Sequence, residues 1–207
     1  MDDWLPGYSA RELDDAQARY GLKFPPDLIS LLTDRRPKRG YDWRSDNAAI
    51  ERAMAHPLDG LLFDLEHNAL WWPEWGDRPE TEEERAAVLT VIVSTAPRLI
   101  PILEHRYIPE TPSEAGNPVF SVMQADTIYY GANLADYFER EFNPSRFANE
   151  PVLSTIRRIS FWSDLVERNP LNPTTGRDIR QLSTADEWKL PFAFPPFQAV
   201  QTRVFTA

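Results

Sequence analysis

GNPVFSVMQADTIYYGANLADYF, residues 116–138, reads as a β-hairpin followed by a helix. Val119 to Met123 and Thr127 to Tyr130 are rich in β-branched and aromatic side chains, the composition of paired strands. Gln124, Ala125 and Asp126 lie between them as a short polar loop. With that loop, Val122 faces Ile128 and Phe120 faces Tyr130, and these residues share one apolar face, expected to be core. Ser121, Met123, Thr127 and Tyr129 share the other, mixed face. Gly131 breaks the second strand. Asn133 suits the N-cap of a helix whose Leu134, Phe138 and Phe142 recur every four residues. The strand pair is expected at the centre of a sheet, with this helix packed on one face.

Working outward, Ser9 and Glu12 have the spacing of a capping box, and Gly21 stands where a helix from Ser9 would end. Pro25-Pro26-Asp27 opens a second helix, since proline in the first turn gives up no intrahelical bond. A loop over 33–44 carries a basic cluster, Arg35, Arg36, Lys38 and Arg39. A third helix is expected from Asp46 to His56, stopped by Pro57, and Leu61 to Leu65 then reads as a buried strand. Thr81 and Glu84 form a second capping-box pattern ahead of an apolar stripe at Leu89, Ile92, Val93 and Ala96. Leu99 to Leu103 reads as a strand whose Pro101 belongs at an edge or bulge. A short helix is expected over Ile159 to Glu167. Residues 1–168 form the domain. Residues 169–207 form a proline- and aromatic-rich arm lying back on the domain or on a second copy, in which case the chain would be a homodimer.

Composition narrows the function. The 207 residues are 42% hydrophobic, enough for a core, with 19 prolines against 8 glycines, so connections should be stiff. A formal net charge of -10 argues against nucleic acid as a partner, because phosphate contacts need clustered Lys and Arg. The absence of cysteine excludes disulfides, thiolate nucleophiles and Cys-ligated metals. No stretch approaches the ~18 apolar residues of a membrane span, and the acidic N-terminus has no signal-peptide core. The cytoplasm is the expected compartment.

Catalytic patterns are sparse. There is no G-x-S-x-G elbow and no glycine-rich phosphate loop. Asp64, Glu66 and His67 cluster in sequence, and His105 follows the Leu99–Leu103 segment, so a metal-assisted hydrolase is a conceivable third reading. Their spacing matches no fixed ligand geometry, and neither a metal nor a cofactor is expected. Trp71, Trp72 and Trp75, with Tyr107, Tyr129 and Tyr130, could line a groove for a peptide or small ligand, although packing is the commoner role of such clusters. Trp72 and Tyr130 look buried, Trp75 and Tyr129 exposed.

Three separated segments resemble the SMI1/KNR4 domain family of the SUKH superfamily. These are Glu12-Leu13 through Tyr20-Gly21-Leu22-Lys23-Phe24-Pro25-Pro26-Asp27-Leu28, Gly60-Leu61-Leu62-Phe63-Asp64 through Trp72, and Gly116-Asn117-Pro118-Val119-Phe120 through Phe138. Together they span roughly residues 9–142 and occur in the family's order. The resemblance implies an α+β fold, a twisted, mostly antiparallel sheet with helices packed on it, and non-enzymatic work. Many bacterial members look like immunity proteins that bind and neutralise a toxin, and fungal members act as regulatory interaction proteins. It carries over no catalytic residue. The expected partner is therefore a protein, a basic toxin domain being the kind that the acidic charge suits. The candidate surface is Asp64, Glu66, His67, Trp75, Tyr107, Asp126 and Tyr129, with Glu74 beside it. The alternative is a regulatory adaptor or small-ligand sensor using the aromatic groove.

Overall fold

The hairpin belongs to a sheet of four antiparallel strands in the order β3 (Leu99–Leu103), β4 (Arg106–Pro109), β5 (Val119–Met123) and β6 (Asp126–Gly131), so it lies at one side of the sheet with β6 on the edge, not at the centre as expected. The computed structural model describes residues 3–44, 47–143 and 155–169. A second, two-stranded sheet pairs β1 (Trp4–Pro6) with β2 (Arg35–Pro37), so the basic loop holds a strand that its composition did not announce. Six α-helices complete the described part: α1 (Ala10–Tyr20), α2 (Pro26–Asp34), α3 (Ala48–His67), α4 (Glu82–Thr95), α5 (Leu134–Phe142) and α6 (Trp162–Arg168). The α+β class is as expected. The C-terminal arm, apart from Asn169, and the expected helix residue Asp46 lie outside the described residues.

Helices cover both faces of the four-stranded sheet, α5 lying on one of them as expected. Alternate residues point to opposite faces, and here both sets are apolar. Ile100, Ile108 and Val119 join Leu13, Ala16, Leu28, Leu32, Leu134 and Tyr137 of α1, α2 and α5 in one core cluster. Leu99, Tyr107, Phe120 and Val122 join Leu61, Leu65, Leu89, Trp162 and Leu165 of α3, α4 and α6 in the other. Every residue of β3 is buried, as a strand with two covered faces requires. On the first face, the rings of Phe138 and Phe142 each lie 5.2 Å from Trp4, tying α5 to β1.

Local signals behave as their chemistry dictates. Ser9 and Glu12 form the full capping box, and Gly21 ends α1 at φ 61°. The Thr81 hydroxyl accepts from the Glu84 amide, and Asn133 caps α5 through the Asp136 amide. Pro101 does lie on an edge strand, next to an irregularity between Pro101 and Leu103. The Arg98 carbonyl accepts from the Glu110 amide at 2.8 Å. Residues 98 and 100 therefore turn toward β4, and Pro101 turns its missing N–H outward.

Two further expectations are overturned. The hairpin register is one residue off, because its turn has two residues and not three: Met123 pairs with Asp126, Val122 with Thr127, and Phe120 with Tyr129. Gln124 makes this tight turn by adopting φ 60°, which the sequence does not signal because glycine usually fills that role. A one-residue slip moves the second strand's side chains to the opposite face. Phe120 and Val122 are core, but Ile128 and Tyr130 are only half-buried, while Thr127 is fully buried.

The second correction is α3, which runs unbroken from Ala48 to His67 through Pro57, so Leu61 to Leu65 is helix and not strand. Proline deprives the carbonyl four residues earlier of its helical donor. That carbonyl belongs to Ala53, and the buried Tyr107 hydroxyl donates to it at 2.9 Å. A side chain 54 residues away in the chain thus replaces the missing amide.

Candidate functional site

The C-terminal half of α3 grips the β5–β6 turn through one helix face. A Cβ on Gly60 would lie 2.9 Å from the Gln124 Cα, so only glycine lets the helix backbone approach this closely. One turn further on, the Asp64 carboxylate accepts from the Ala125 amide at 2.7 Å and from Asn68 Nδ2 at 2.6 Å. Asp64 was expected on an acidic surface at a strand end. It is instead buried, 5% exposed, and is the turn's anchor.

Most of the other expected surface residues are also occupied in holding the fold. Glu66 forms a bidentate ion pair with Arg85 of α4, which lowers the glutamate's pKa chiefly through those hydrogen bonds. Tyr107, expected to face a ligand, is buried and supports α3. Burial raises its pKa. Tyr129 is half-buried, not exposed, and donates to Ser163 Oγ at 2.7 Å beneath α6. His67 is exposed at the end of α3, where its ring stacks on Phe63 at 4.2 Å and Nδ1 sits 2.9 Å from the Phe63 carbonyl. Asp126 is exposed and accepts from Asn169 Nδ2 at 2.6 Å. Asp64, Glu66, His67 and His105 do not converge. The described residues contain no group of three or more acidic or histidine side chains able to hold a metal.

Besides His67 and Asp126, an accessible surface lies on and beside the segment after α3. Trp71, Trp72 and Trp75 are all half-buried and packed on one another, Trp75 at 5.5 Å from Trp71 and 4.7 Å from Trp72. Trp72 was expected to be buried more fully and Trp75 less. The Trp71 indole donates to the Gly76 carbonyl at 2.8 Å, and Gly76, at φ 88°, turns the chain there. The Arg168 guanidinium lies 4.2 Å over the Trp72 ring and pairs with Glu74, whose pKa falls to about 2 through those hydrogen bonds. Immediately downstream Asp77, Glu80, Glu82, Glu83 and Glu84 are all exposed. Phe63 and Val91 are exposed apolar side chains on α3 and α4, at 41% and 64%.

The N-terminal half of α3 presents a second feature that the sequence reading did not assemble. An open pocket of about 340 Å³ lies between α3 and the β3–β4 turn, lined by Tyr41, Arg52, His56, Glu104, His105 and Met123 among others. Burial lowers the pKa of His56, against an opposing pull from Asp59. Burial, then Arg106, depresses His105 further, to about 4, with Glu104 opposing and His56 adding a little. The scarcity of histidine was the available signal, but pairing His56 with His105 requires knowing that α3 crosses the sheet there.

Comparison with family models, with curated proteins and with solved structures finds no match to this chain.

Proposed function

We propose that this chain is a non-enzymatic binding domain of SUKH type that serves as an immunity protein, holding and neutralising a basic toxin domain. One observation carries the reading: the half-buried knot of Trp71, Trp72 and Trp75 runs directly into the exposed carboxylates Asp77, Glu80, Glu82, Glu83 and Glu84. Tryptophans supply large contact area and are enriched among the residues that dominate binding energy. Carboxylates around them speed association with a basic partner and suppress wrong partners.

The coherence of the resembling segments supports the same reading. The Asp27 carboxylate accepts from the Gly116 amide at 2.9 Å, joining the first segment to the third. Gly60 and Asp64 join the second to the third through the hairpin turn.

The test is to search the adjacent genes for a toxin domain and to co-express it with this chain. Protection is expected for the native chain. Trp75→Ala should weaken it, and Glu82→Gln/Glu83→Gln/Glu84→Gln, on an exposed helix start, should slow association at least about fivefold at low salt. No protection by the folded native protein would overturn the proposal.

A further inference from the structure

Three nitrogen-bearing side chains lining the pocket between α3 and the β3–β4 turn make no hydrogen bond or ion pair among the described residues. Arg52 and His56 come from α3, and His105 comes from the β3–β4 turn. His56 Nδ1 is buried with no partner. Buried polar atoms in folded proteins nearly always have one, so an orphan of this kind needs an explanation. The pocket's hydroxyls are already committed, Tyr41 to the Glu104 carbonyl at 3.0 Å and Tyr107 to the Ala53 carbonyl at 2.9 Å. Its floor is apolar, made by Ala49, Ala53, Met123 and the Tyr107 ring. A volume of about 340 Å³ is within the range of small-molecule sites, which combine an apolar floor with a few convergent polar groups.

We infer that this pocket binds a small oxyanion, a carboxylate or phosphate group on a compact molecule, through Arg52, His56 and His105. The guanidinium supplies a planar fork of donors matched to such groups. Each imidazole can donate one N–H when neutral and two when protonated. Burial favours the neutral form of both rings, and an anion placed between them draws protons onto them. Asp59 of α3 favours protonation of His56 and Glu104 of the turn that of His105, whereas Arg106 of β4 and His56 itself oppose it at His105. Tyr41 and Tyr107 complete the titratable lining. Binding therefore takes up protons, and by linkage affinity strengthens as pH falls. This site shares no residue with the tryptophan and acidic surface, so Arg52→Ala should leave toxin protection intact.

The experiment is amide NMR titration of the full chain with succinate and, separately, with inorganic phosphate, at about pH 6 and about pH 7.5 with chloride matching the ionic strength. Saturable shifts confined to the pocket lining are expected, about tenfold weaker in Arg52→Ala and severalfold weaker at the higher pH. Response to succinate alone marks a carboxylate ligand and response to phosphate alone a phosphorylated one. His105→Asn should keep the fold and reduce the pH dependence. Shifts reproduced by chloride, unchanged in Arg52→Ala, or absent for both probes would overturn the inference.

Discussion

Tyr107→Phe removes one oxygen atom from the core, and its effect should depend on a proline in another element. The Tyr107 hydroxyl donates to the Ala53 carbonyl at 2.9 Å, the carbonyl that Pro57 leaves without a helical donor. The bond contributes about 1 kcal/mol net, and an abandoned buried carbonyl costs about 1–3 kcal/mol. Tyr107→Phe should therefore destabilise by about 2 kcal/mol, a fall in Tm of roughly 4–8 °C for a chain of this size. In a Pro57→Ala background the restored amide at position 57 satisfies Ala53 along the helix. There the same Tyr107→Phe change should cost less than about 0.5 kcal/mol. A double-mutant cycle by urea denaturation reads the coupling directly, expected at about 1.5 kcal/mol. Equal losses in the two backgrounds would refute the assignment of Tyr107 as the stand-in donor, and with it the account of why α3 continues past Pro57.

Three further outcomes follow from the same geometry. Asp64→Ala removes a charged acceptor and leaves the Ala125 amide unsatisfied, so it should cost about 3 kcal/mol in chemical denaturation; a loss under about 1 kcal/mol would show that the turn does not depend on it. Gly131→Ala places a Cβ 2.7 Å from the Tyr137 backbone nitrogen and should cost about 2–3 kcal/mol, read by thermal melting, unless α5 can shift freely. His105, held neutral down to about pH 4 in the fold but protonating near 6.5 when unfolded, gives the unfolded chain the extra proton between those values. Stability should therefore fall as pH drops through that window, by about 1–2 kcal/mol once solvent screening of this half-buried ring is allowed for, and His105→Asn should flatten that part of the pH–stability profile.

The elements with local chemistry were legible in the sequence. Capping at Ser9 and Asn133, the stop at Gly21 and the edge placement of Pro101 each depend on neighbours within a few residues. The misread elements depend on distant partners. Nothing near Pro57 indicates that Tyr107 will replace its amide, so the helix looked finished and LLFDL looked like a strand. Nothing in Gln124-Ala125 announces a two-residue turn, because the residue at positive φ is not glycine and its support comes from Gly60 and Asp64. The same blindness affects the site. Asp64, Glu66, Tyr107 and Tyr129 were singled out by residue type, and type alone cannot separate a polar group offered to a partner from one consumed inside the fold.

The sheet's edges restrict how any other molecule can engage this protein. At β3 the outward position is a proline beside an irregularity, so an incoming strand finds a missing donor where it needs a ladder. At β6 the α6 end closes over the rim, with Asn169 Nδ2 within 3.5 Å of the Thr127 carbonyl. Strand addition, in which a guest segment is read through main-chain hydrogen bonds with little regard for its sequence, is thus disfavoured at both rims. Recognition has to proceed through side chains on the helical and loop surfaces, where selectivity for one guest can change by point substitution while the β-framework stays the same.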